Sequence, residues 1–585
     1  MNINFSGLSK GYEGKTIFEN IRGQISDGDK VGLIGSNGVG KTTLVKVLAG
    51  REDRDAGEIS YSPTYIKTLY LPQHPEFDKG ISVYEDIVKF LFQWTKNNNS
   101  EDVSDIDALA KTALNRVGLE EDIWNHHAIN LSGGEKTKLV LARIFVCDFD
   151  FLVLDEPTNH LDMESYEWLE DFIKSLDKPM LIVSHDRFFL DNVVNTIWEL
   201  TPQGLKVYQG NYTNYKLQKE IEIKNITKEY HKQQTRIQQL KAVISDRENW
   251  YHKAHKSAGQ NDYLRARAKK HAGTLKAKKT QLERLEKEKI DRPQKELSPA
   301  FNVINKNIVG KKFPRFLIQG KNISKSFGEN QVLKNISFNI ERGDRIAVIG
   351  ANGSGKTTFL KTICGIYDDY SGSLRINPSV NIGYFSQELE NLDYEATILD
   401  DVIKEGATLQ ETRLLLASLL FRGDAVFKKI GNLSMGEKGR VAFAKLILSG
   451  ANLLVLDEPT NYMDIQSKEK VEEALEEFQG SIIFVSHDRY FINRLANRIF
   501  LIENKKLRVF EGNYEYYLSK SRKGKIEQEK EKQHRDIAES IMKLELELAY
   551  LGGKLDQTID EEEKEELNRR YLELARELNQ KRRQM

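Results

Sequence analysis

Two stretches of the sequence set lysine, threonine and glycine where phosphate chemistry needs them. GSNGVGKTT, from Gly35 to Thr43, and GANGSGKTT, from Gly350 to Thr358, each follow an apolar run, KVGLI or RIAVI, and open a helix-like stretch. GxxxxGK[ST] between a strand and a helix is the spacing of a phosphate-binding loop. Its glycines let backbone N–H groups wrap an anion, Lys41 and Lys356 neutralise β and γ oxygens, and Thr42 and Thr357 offer hydroxyls to Mg2+. The candidate binding residues are Gly35, Ser36, Asn37, Gly38, Val39, Gly40, Lys41, Thr42 and Thr43 in one copy. In the other they are Gly350, Ala351, Asn352, Gly353, Ser354, Gly355, Lys356, Thr357 and Thr358.

Acids of matching placement lie downstream. The runs FLVLD and LLVLD end in the pairs Asp155-Glu156 and Asp457-Glu458, each followed by PTN. A continuous apolar run is a strand buried on both faces, so charges at its carboxyl end point into the crevice where ligands bind. Asp155 and Asp457 are suited to holding Mg2+ through water, and Glu156 and Glu458 to orienting an attacking water, because phosphoryl transfer depends on positioning and charge stabilisation. Acids after a strand also cap helices; the PTN that follows in both copies favours the phosphate role.

These motifs belong to an internal repeat. LDEPTN at Leu154 to Asn159 returns at Leu456 to Asn461, VSHDR at Val183 to Arg187 returns at Val485 to Arg489, and GNY at Gly210 returns at Gly512. The two lysines lie 315 residues apart and Gln73 and Gln387 lie 314 apart, but all later pairs lie 302 apart. The first copy therefore carries a dozen extra residues, expected as a surface loop near Lys96 to Asp105. The expected organisation is one domain over 1–215, a linker over 216–297, a connector over 298–315, a second domain over 316–519 and an extension over 520–585.

The linker is charged and helical in pattern. Ile226, Tyr230, Gln233, Ile237, Leu240 and Ile244 alternate by four and three, Leu275, Leu282 and Leu285 continue a second arm, and small polar residues separate the arms. That predicts an antiparallel hairpin with its tip near 257–263, whose first arm of roughly 40 residues spans about 60 Å. In the extension, Ile537, Ile541, Leu544, Leu548, Leu551 and Leu555 form one stripe, and Leu567, Tyr571, Leu574 and Leu578 a partner stripe. A structural coiled coil accounts for both stripes taken alone.

Composition sets outer bounds. The chain has 585 residues, 39% hydrophobic, with 87 Lys+Arg against 87 Asp+Glu and two cysteines. No window supplies the ~18 uninterrupted apolar residues of a membrane span, and the N-terminal stretch does not resemble a secretory signal. Cys147 and Cys364 are too few for a disulfide framework or a zinc site, so a reducing cytoplasm is the expected compartment.

LSGGEKTKLVLAR at Leu131 to Arg143 and LSMGEKGRVAFAK at Leu433 to Lys445 resemble the signature motif of ABC ATPases. With the phosphate loops, Gln73, Gln387, His185 and His487, the resemblance covers almost the whole chain. It implies an α/β fold with two ABC-type P-loop ATPase domains in tandem, facing head to tail. Each ATP would lie between one copy's phosphate loop and the other's signature serine and glycines. One site would combine Lys41, Gln73, Glu156 and His185 with Ser434 and Gly436; the other would combine Lys356, Gln387, Glu458 and His487 with Ser132, Gly133 and Gly134. The glutamines would sit beside Mg2+ and the histidines would sense the γ-phosphate. Tyr12 and Phe327, each 29 residues before its lysine, stand where the family stacks an aromatic on adenine. A core aromatic is the alternative, and the equal spacing favours stacking. Met435 departs from the pattern by replacing a signature glycine, and NYMD at Asn461 replaces the first copy's NHLD.

The linker's chemistry fits RNA. From Lys253 to Lys279 there are nine Lys/Arg against one acid, with aromatic residues interleaved. Trp250, Tyr251, His255 and Tyr263 could stack on unpaired bases while Lys253, Lys256, Arg265, Arg267, Lys269 and Lys270 meet phosphates and Gln260 lies at the tip. Residues 223–292 sum to +11, so the rest of the neutral chain sums to −11. Two fused domains with such a linker and no membrane helices resemble the ABC-F proteins, and within them the antibiotic-resistance branch of Vga and Vml type. That resemblance implies an ATPase that binds the 70S ribosome at its E site. The linker would reach 23S rRNA near the peptidyl-transferase centre and P-site tRNA, protecting against lincosamides, streptogramin A and pleuromutilins. It further implies a monomer with an intramolecular domain dimer. A housekeeping ABC-F translation factor is the alternative; a non-catalytic scaffold and the soluble ATPase subunit of a transporter are alternatives of another class.

Overall fold

The computed structural model describes residues 1–73, 75, 77–98, 105–158, 161, 163–257, 262–288, 301–306, 308, 314–386, 391–555 and 561–582. The chain divides into two units, Met1–Leu495 with Leu501–Arg508, and Ala496–Phe500 with Val509–Met585.

In the first unit the apolar runs become parallel strands. The first copy's sheet has the order Thr68–Leu71, Phe151–Asp155, Met180–Val183, Lys30–Ile34, Thr196–Thr201, Gly204–Gln209, antiparallel only at its last pair. In the second copy, Ile382–Phe385, Leu453–Asp457, Ser481–Val485 and Arg345–Ile349 repeat the first four places. Alternate residues of one strand serve opposite cores: Phe151 and Val153 pack in one buried cluster, Leu152 and Leu154 in the other. Each copy adds a three-stranded antiparallel sheet, in which Asn2–Tyr12 lies between Lys15–Ser26 and Ala56–Ser62, and Phe316–Phe327 between Asn330–Glu341 and Ser371–Ile376. Tyr12 and Phe327 fall at equivalent strand ends, paired with Lys15 and Asn330.

Residues 99–104 of the loop expected in the first copy lie outside the described residues, but part of the extra length before them is helix. It lengthens a helix, Val83–Asn98, of 16 residues, whose second-copy counterpart Ile398–Val402 has five. Buried Leu91 and Trp94 hold the added turns to the core.

The linker is two antiparallel helices, Tyr212–Ser257 and Asp262–Lys287. The first has 46 residues, which at ~1.5 Å each is close to 70 Å. Ion pairs Lys279–Glu248 at 2.6 Å and Lys241–Glu286 at 2.8 Å set the register. Ile237, Leu240 and Ile244 are buried, but Ile226 is exposed. The second helix ends opposite Gln233, whose amide donates to the Glu288 carbonyl at 2.8 Å, so Ile226 lies beyond its reach. The tip residues 258–261 lie outside the described residues. Of the connector, buried Asn305 bridges Glu477 and Gln479 with two 2.8 Å hydrogen bonds.

In the second unit, helices Tyr514–Leu555 and Glu561–Arg582 pack through Leu544, Leu548 and Leu578, with Ile541, Tyr571 and Leu574 alongside. Residues 556–560, between these helices, lie outside the described residues. The repeated GNY is a helix start: Asn211 accepts from the Asn214 amide at 3.1 Å and Asn513 from the Tyr516 amide at 3.0 Å. This is why both long helices begin before Lys216 and Lys520.

Candidate nucleotide sites

Each phosphate loop leaves a central strand and turns into a helix through a left-handed glycine. Gly40 has φ 104° and Gly355 φ 99°, and a Cβ there would lie 2.4 Å from Ile17 and 2.7 Å from Val332. Only glycine fits. The lysines are buried, and Lys41 Nζ donates to the Gly35 and Ser36 carbonyls at 2.9 and 3.1 Å, as Lys356 does to Gly350 and Ala351 at 2.9 Å. Burial lowers the pKa of Lys41, with the Glu156 charge opposing. A desolvated ammonium of this kind favours an arriving anion.

The acids stand at the ends of their strands. Asp155 lies within hydrogen-bonding reach of Thr42 and accepts from the Tyr70 hydroxyl at 3.4 Å; Asp457 lies within reach of Thr357. Asp155 Oδ1 and Asp457 Oδ2 are buried without a hydrogen-bond partner. Two such carboxylate oxygens, each beside a threonine hydroxyl, fit a hard, oxygen-seeking cation.

Glu156 and Glu458 adopt left-handed backbone, φ 52° and 50°, a conformation uncommon outside glycine. The turn is held by their own amides, which donate to Val183 at 2.9 Å and Val485 at 3.1 Å in the neighbouring strand. Each carboxylate accepts from a histidine backbone amide, His185 at 3.3 Å and His487 at 3.4 Å, and faces that imidazole's Nε2 at 3.6 and 3.5 Å. Burial pushes both glutamates up to about 7, against the lowering effect of Lys41 or Lys356, and Asp457 up to about 6. Burial, followed by Lys41 and Lys468, holds His185 well below the usual histidine range.

Two cavities, of about 600 and 450 Å3, lie between the copies. The larger joins Asn352, Gly353, Gly355, Lys356, Thr357, Thr358, Asp457, Glu458 and His487 of one copy to Ser132, Gly133 and Gly134 of the other, with Phe327 in its wall. The smaller joins Asn37, Gly38, Gly40, Lys41, Thr42, Thr43, Gln73, Asp155, Glu156 and His185 to Ser434, Met435 and Gly436. Ser132 and Ser434 cap their helices, each in a reciprocal box with Glu135 or Glu437, and so aim the positive helix ends at the cavities. Asn37 closes the contact: its amide donates to Asp464 at 3.0 Å and its side chain to the Tyr462 carbonyl at 3.1 Å. Gly35, Ser36, Val39, Gly350, Ala351 and Ser354 shape the loops without lining a cavity. Tyr12 also stays off the wall, its hydroxyl donated to Glu52, and Gln387 lies outside the described residues.

Several lining residues escape a motif reading. Thr158, Thr460 and Asn461 sit inside the repeated LDEPTN and were available to it, but Tyr462 and Lys468 fall where the two copies diverge.

A family model described as "ABC transporter" matches residues 18–159 and 333–461, and a second of that description matches 198–303. "ABC transporter F family member 5" of Arabidopsis thaliana is 32% identical over 89% of this chain and 77% of its own. The chain belongs to the ABC-F family. Bacillus subtilis supplies two further relatives at 33% identity: "Putative ATP-binding protein YdiF", covering 89% of this chain and 83% of its own, and "Ribosome protection protein VmlR", covering 86% and 87%. Among solved structures, the archaeal aABCE1 chain in complex with the stalk protein aP1 superposes with a TM-score of 0.58 at 20% identity, over 86% of this chain and 89% of that one; the likeness is one of fold. As an ABC-F protein the chain is an ATPase.

Of this ABC-F chain's candidate RNA-binding residues, Trp250, Tyr251, Lys253, His255 and Lys256 lie in the first linker helix and Tyr263, Arg265, Arg267, Lys269 and Lys270 in the second. The antiparallel pairing carries both sets to one end. Lys253 is exposed, and Gln260 lies outside the described residues. No described helix is long and apolar enough to cross a membrane.

Proposed function

We propose that the protein is an ATP-gated, ribosome-binding clamp that protects the peptidyl-transferase centre from antibiotics. The observation that carries this reading is the pairing of each phosphate loop with the other copy's signature helix, so that two nucleotides complete the contact between copies that carry a basic helical hairpin between them. The likeness to VmlR, named a ribosome protection protein, supports the target.

In each site the buried lysine and the signature helix end hold the γ-phosphate; Phe327 flanks adenine in the larger cavity, and Tyr12 would have to leave Glu52 to do so at the smaller one. Mg2+, held by Thr42, Asp155 and Gln73 or by Thr357, Asp457 and Gln387, supplies neutralisation of phosphate oxygens when bound. Glu156 and Glu458, titrating near neutrality, orient the attacking water and take its proton, while His185 and His487 fix the carboxylates. ATP favours the closed, ribosome-bound form and hydrolysis releases it, a population shift driven by differential affinity. The linker enters from the E site toward 23S rRNA and P-site tRNA. The protein acts in the cytoplasm as a monomer.

Glu156→Gln combined with Glu458→Gln should pellet with 70S ribosomes in ATP; a double variant that sediments free of them sinks the clamp. Exchanging residues 259–263 should alter protection against lincosamides, streptogramin A or pleuromutilins while ATP turnover stays near normal. Unchanged susceptibility across that panel would favour a housekeeping translation factor.

A further inference from the structure

The two cavities share a wall. Glu156, His185, Thr460, Asn461, Tyr462 and Lys468 line both. Among the described residues Lys468 is the one lysine or arginine in that wall, and the head of its side chain touches both copies. Its Nζ donates to the His185 carbonyl of the first copy at 3.2 Å and to Asp488 of the second at 3.3 Å. Asp488 directly follows His487, the partner of Glu458.

The position is held from both directions. Lys468 lies one turn into the helix Ile465–Glu477, whose cap Asp464 accepts from the Ser467 amide at 2.8 Å and from Asn37 of the first phosphate loop at 3.0 Å. One helical turn thus contacts a phosphate loop and both histidine loops. The side chains of Lys468 and Asp488 are 12% and 5% exposed, so water screens the pair little.

The repeat makes the arrangement one-sided. At the offset of 302, Lys468 corresponds to Tyr166 and Asp488 to Asp186. Tyr166 is buried edge-to-face on Phe189 of its own copy, with ring centroids 5.9 Å apart, and offers no ammonium to the other copy's histidine loop. Burial and the Asp488 charge push Asp186 up against the effect of Lys468, whereas at Asp488 burial is outweighed by Lys468 and Arg187, which hold it below the usual range.

We propose that Lys468 is a positioning residue that couples the two ATP sites. When the His185 loop shifts, the cation bound to its carbonyl shifts the Asp488 loop with it, and so moves His487 against Glu458. Arg187 also approaches Asp488, at 3.9 Å, but the lysine link between the two histidine loops has no equivalent at Tyr166 across the pseudo-two-fold. The Lys468 charge also acts on both glutamates, lowering the pKa of each against the effect of burial. The inference rests on the assignment of Glu156 and Glu458 as the hydrolytic residues.

The test is ATP turnover by the full chain carrying Glu156→Gln, Glu458→Gln or neither, each with Lys468, Lys468→Arg or Lys468→Gln. With Lys468 the rates left in the two single glutamine variants should sum to less than half the unsubstituted rate, a coupling of about twofold or more. With Lys468→Gln they should sum to the rate of that background, the change appearing in kcat and not in KM, and Lys468→Arg should restore the shortfall. Additive rates with Lys468 present, or the same shortfall with Lys468→Gln, overturn the proposal. If Lys468→Gln is inactive, equilibrium ATP binding to the Glu156→Gln, Glu458→Gln chain decides: a Hill coefficient that Lys468→Gln leaves unchanged overturns it. Full turnover in both single glutamine variants would instead overturn the underlying assignment.

Discussion

Arg187 of the first copy and Glu472 of the second form an ion pair with both side chains fully buried, Nη1 donating to Oε2 at 3.0 Å. The repeat generates the reciprocal pair, Arg489 with Glu170, but there the nearest approach is 3.9 Å, and Arg489 instead meets half-exposed Glu167 at 3.2 Å. The interface between copies is therefore locked on one side more than the other.

Glu472→Leu leaves the buried Arg187 guanidinium with Asp488 at 3.9 Å as its nearest carboxylate among the described residues, takes a partner from Arg494 as well, and should cost about 3 to 5 kcal/mol. Glu167→Gln removes only the half-exposed partner of Arg489, which keeps Glu170 and the Tyr166 and Phe188 rings beside it, and should cost about 1 kcal/mol or less. Denaturant titrations of the two variants followed by tryptophan fluorescence give the comparison; equal losses would contradict the asymmetry.

Replacing Glu156 and Glu458 together by glutamine should lower kcat for ATP by about 100-fold or more with KM little changed, as expected on removing a general base. Phosphate release at saturating ATP measures it.

Both glutamates titrate near 7 in the free protein. Since the deprotonated form accepts the proton, kcat/KM for ATP should rise with pH through about 7 and level off above it. Stability without nucleotide should move the opposite way. A carboxyl whose folded pKa is raised binds more protons folded than unfolded between about 4.5 and 7, so its contribution is present below 4.5 and lost as pH climbs through 7. Each glutamate carries on the order of 3 kcal/mol of this dependence. The double glutamine variant should therefore melt higher than the parent at pH 8 and show a flatter pH profile in nucleotide-free melts.

Met435 occupies the first turn of the second signature helix and is 46% exposed at the smaller cavity. It puts a side chain at the helix start where the first copy has Gly133. Met435→Gly should tighten ATP at that site about two- to fivefold, the scale of a helix-end interaction with an anion. Equilibrium binding in a Lys356→Ala background, which weakens the other site, isolates the change.

Motifs whose backbone chemistry is local were legible in advance. The phosphate loops need glycine at positions such as Gly40 and Gly355 whatever surrounds them, and a buried parallel strand must deliver its terminal acid to the crevice. Periodicity located the helical hairpin and the tail, because apolar stripes must pair. It misjudged Ile226, since nothing in a single helix's sequence tells where its partner stops. It did not show that the first copy's extra length includes helix before Lys96, held by Trp94.

The sequence alone therefore determined the two ATPase copies, their acids and lysines, and the basic linker. The head-to-tail pairing was implied by the resemblance, but the tertiary structure decided that Asn37 and Asp464 close the contact, that the two cavities share a wall, and that Lys468 and Arg187 break the repeat's symmetry. Those outcomes depend on distances between residues hundreds of positions apart. Such proximity follows from how complete domains pack, and no local spacing encodes it.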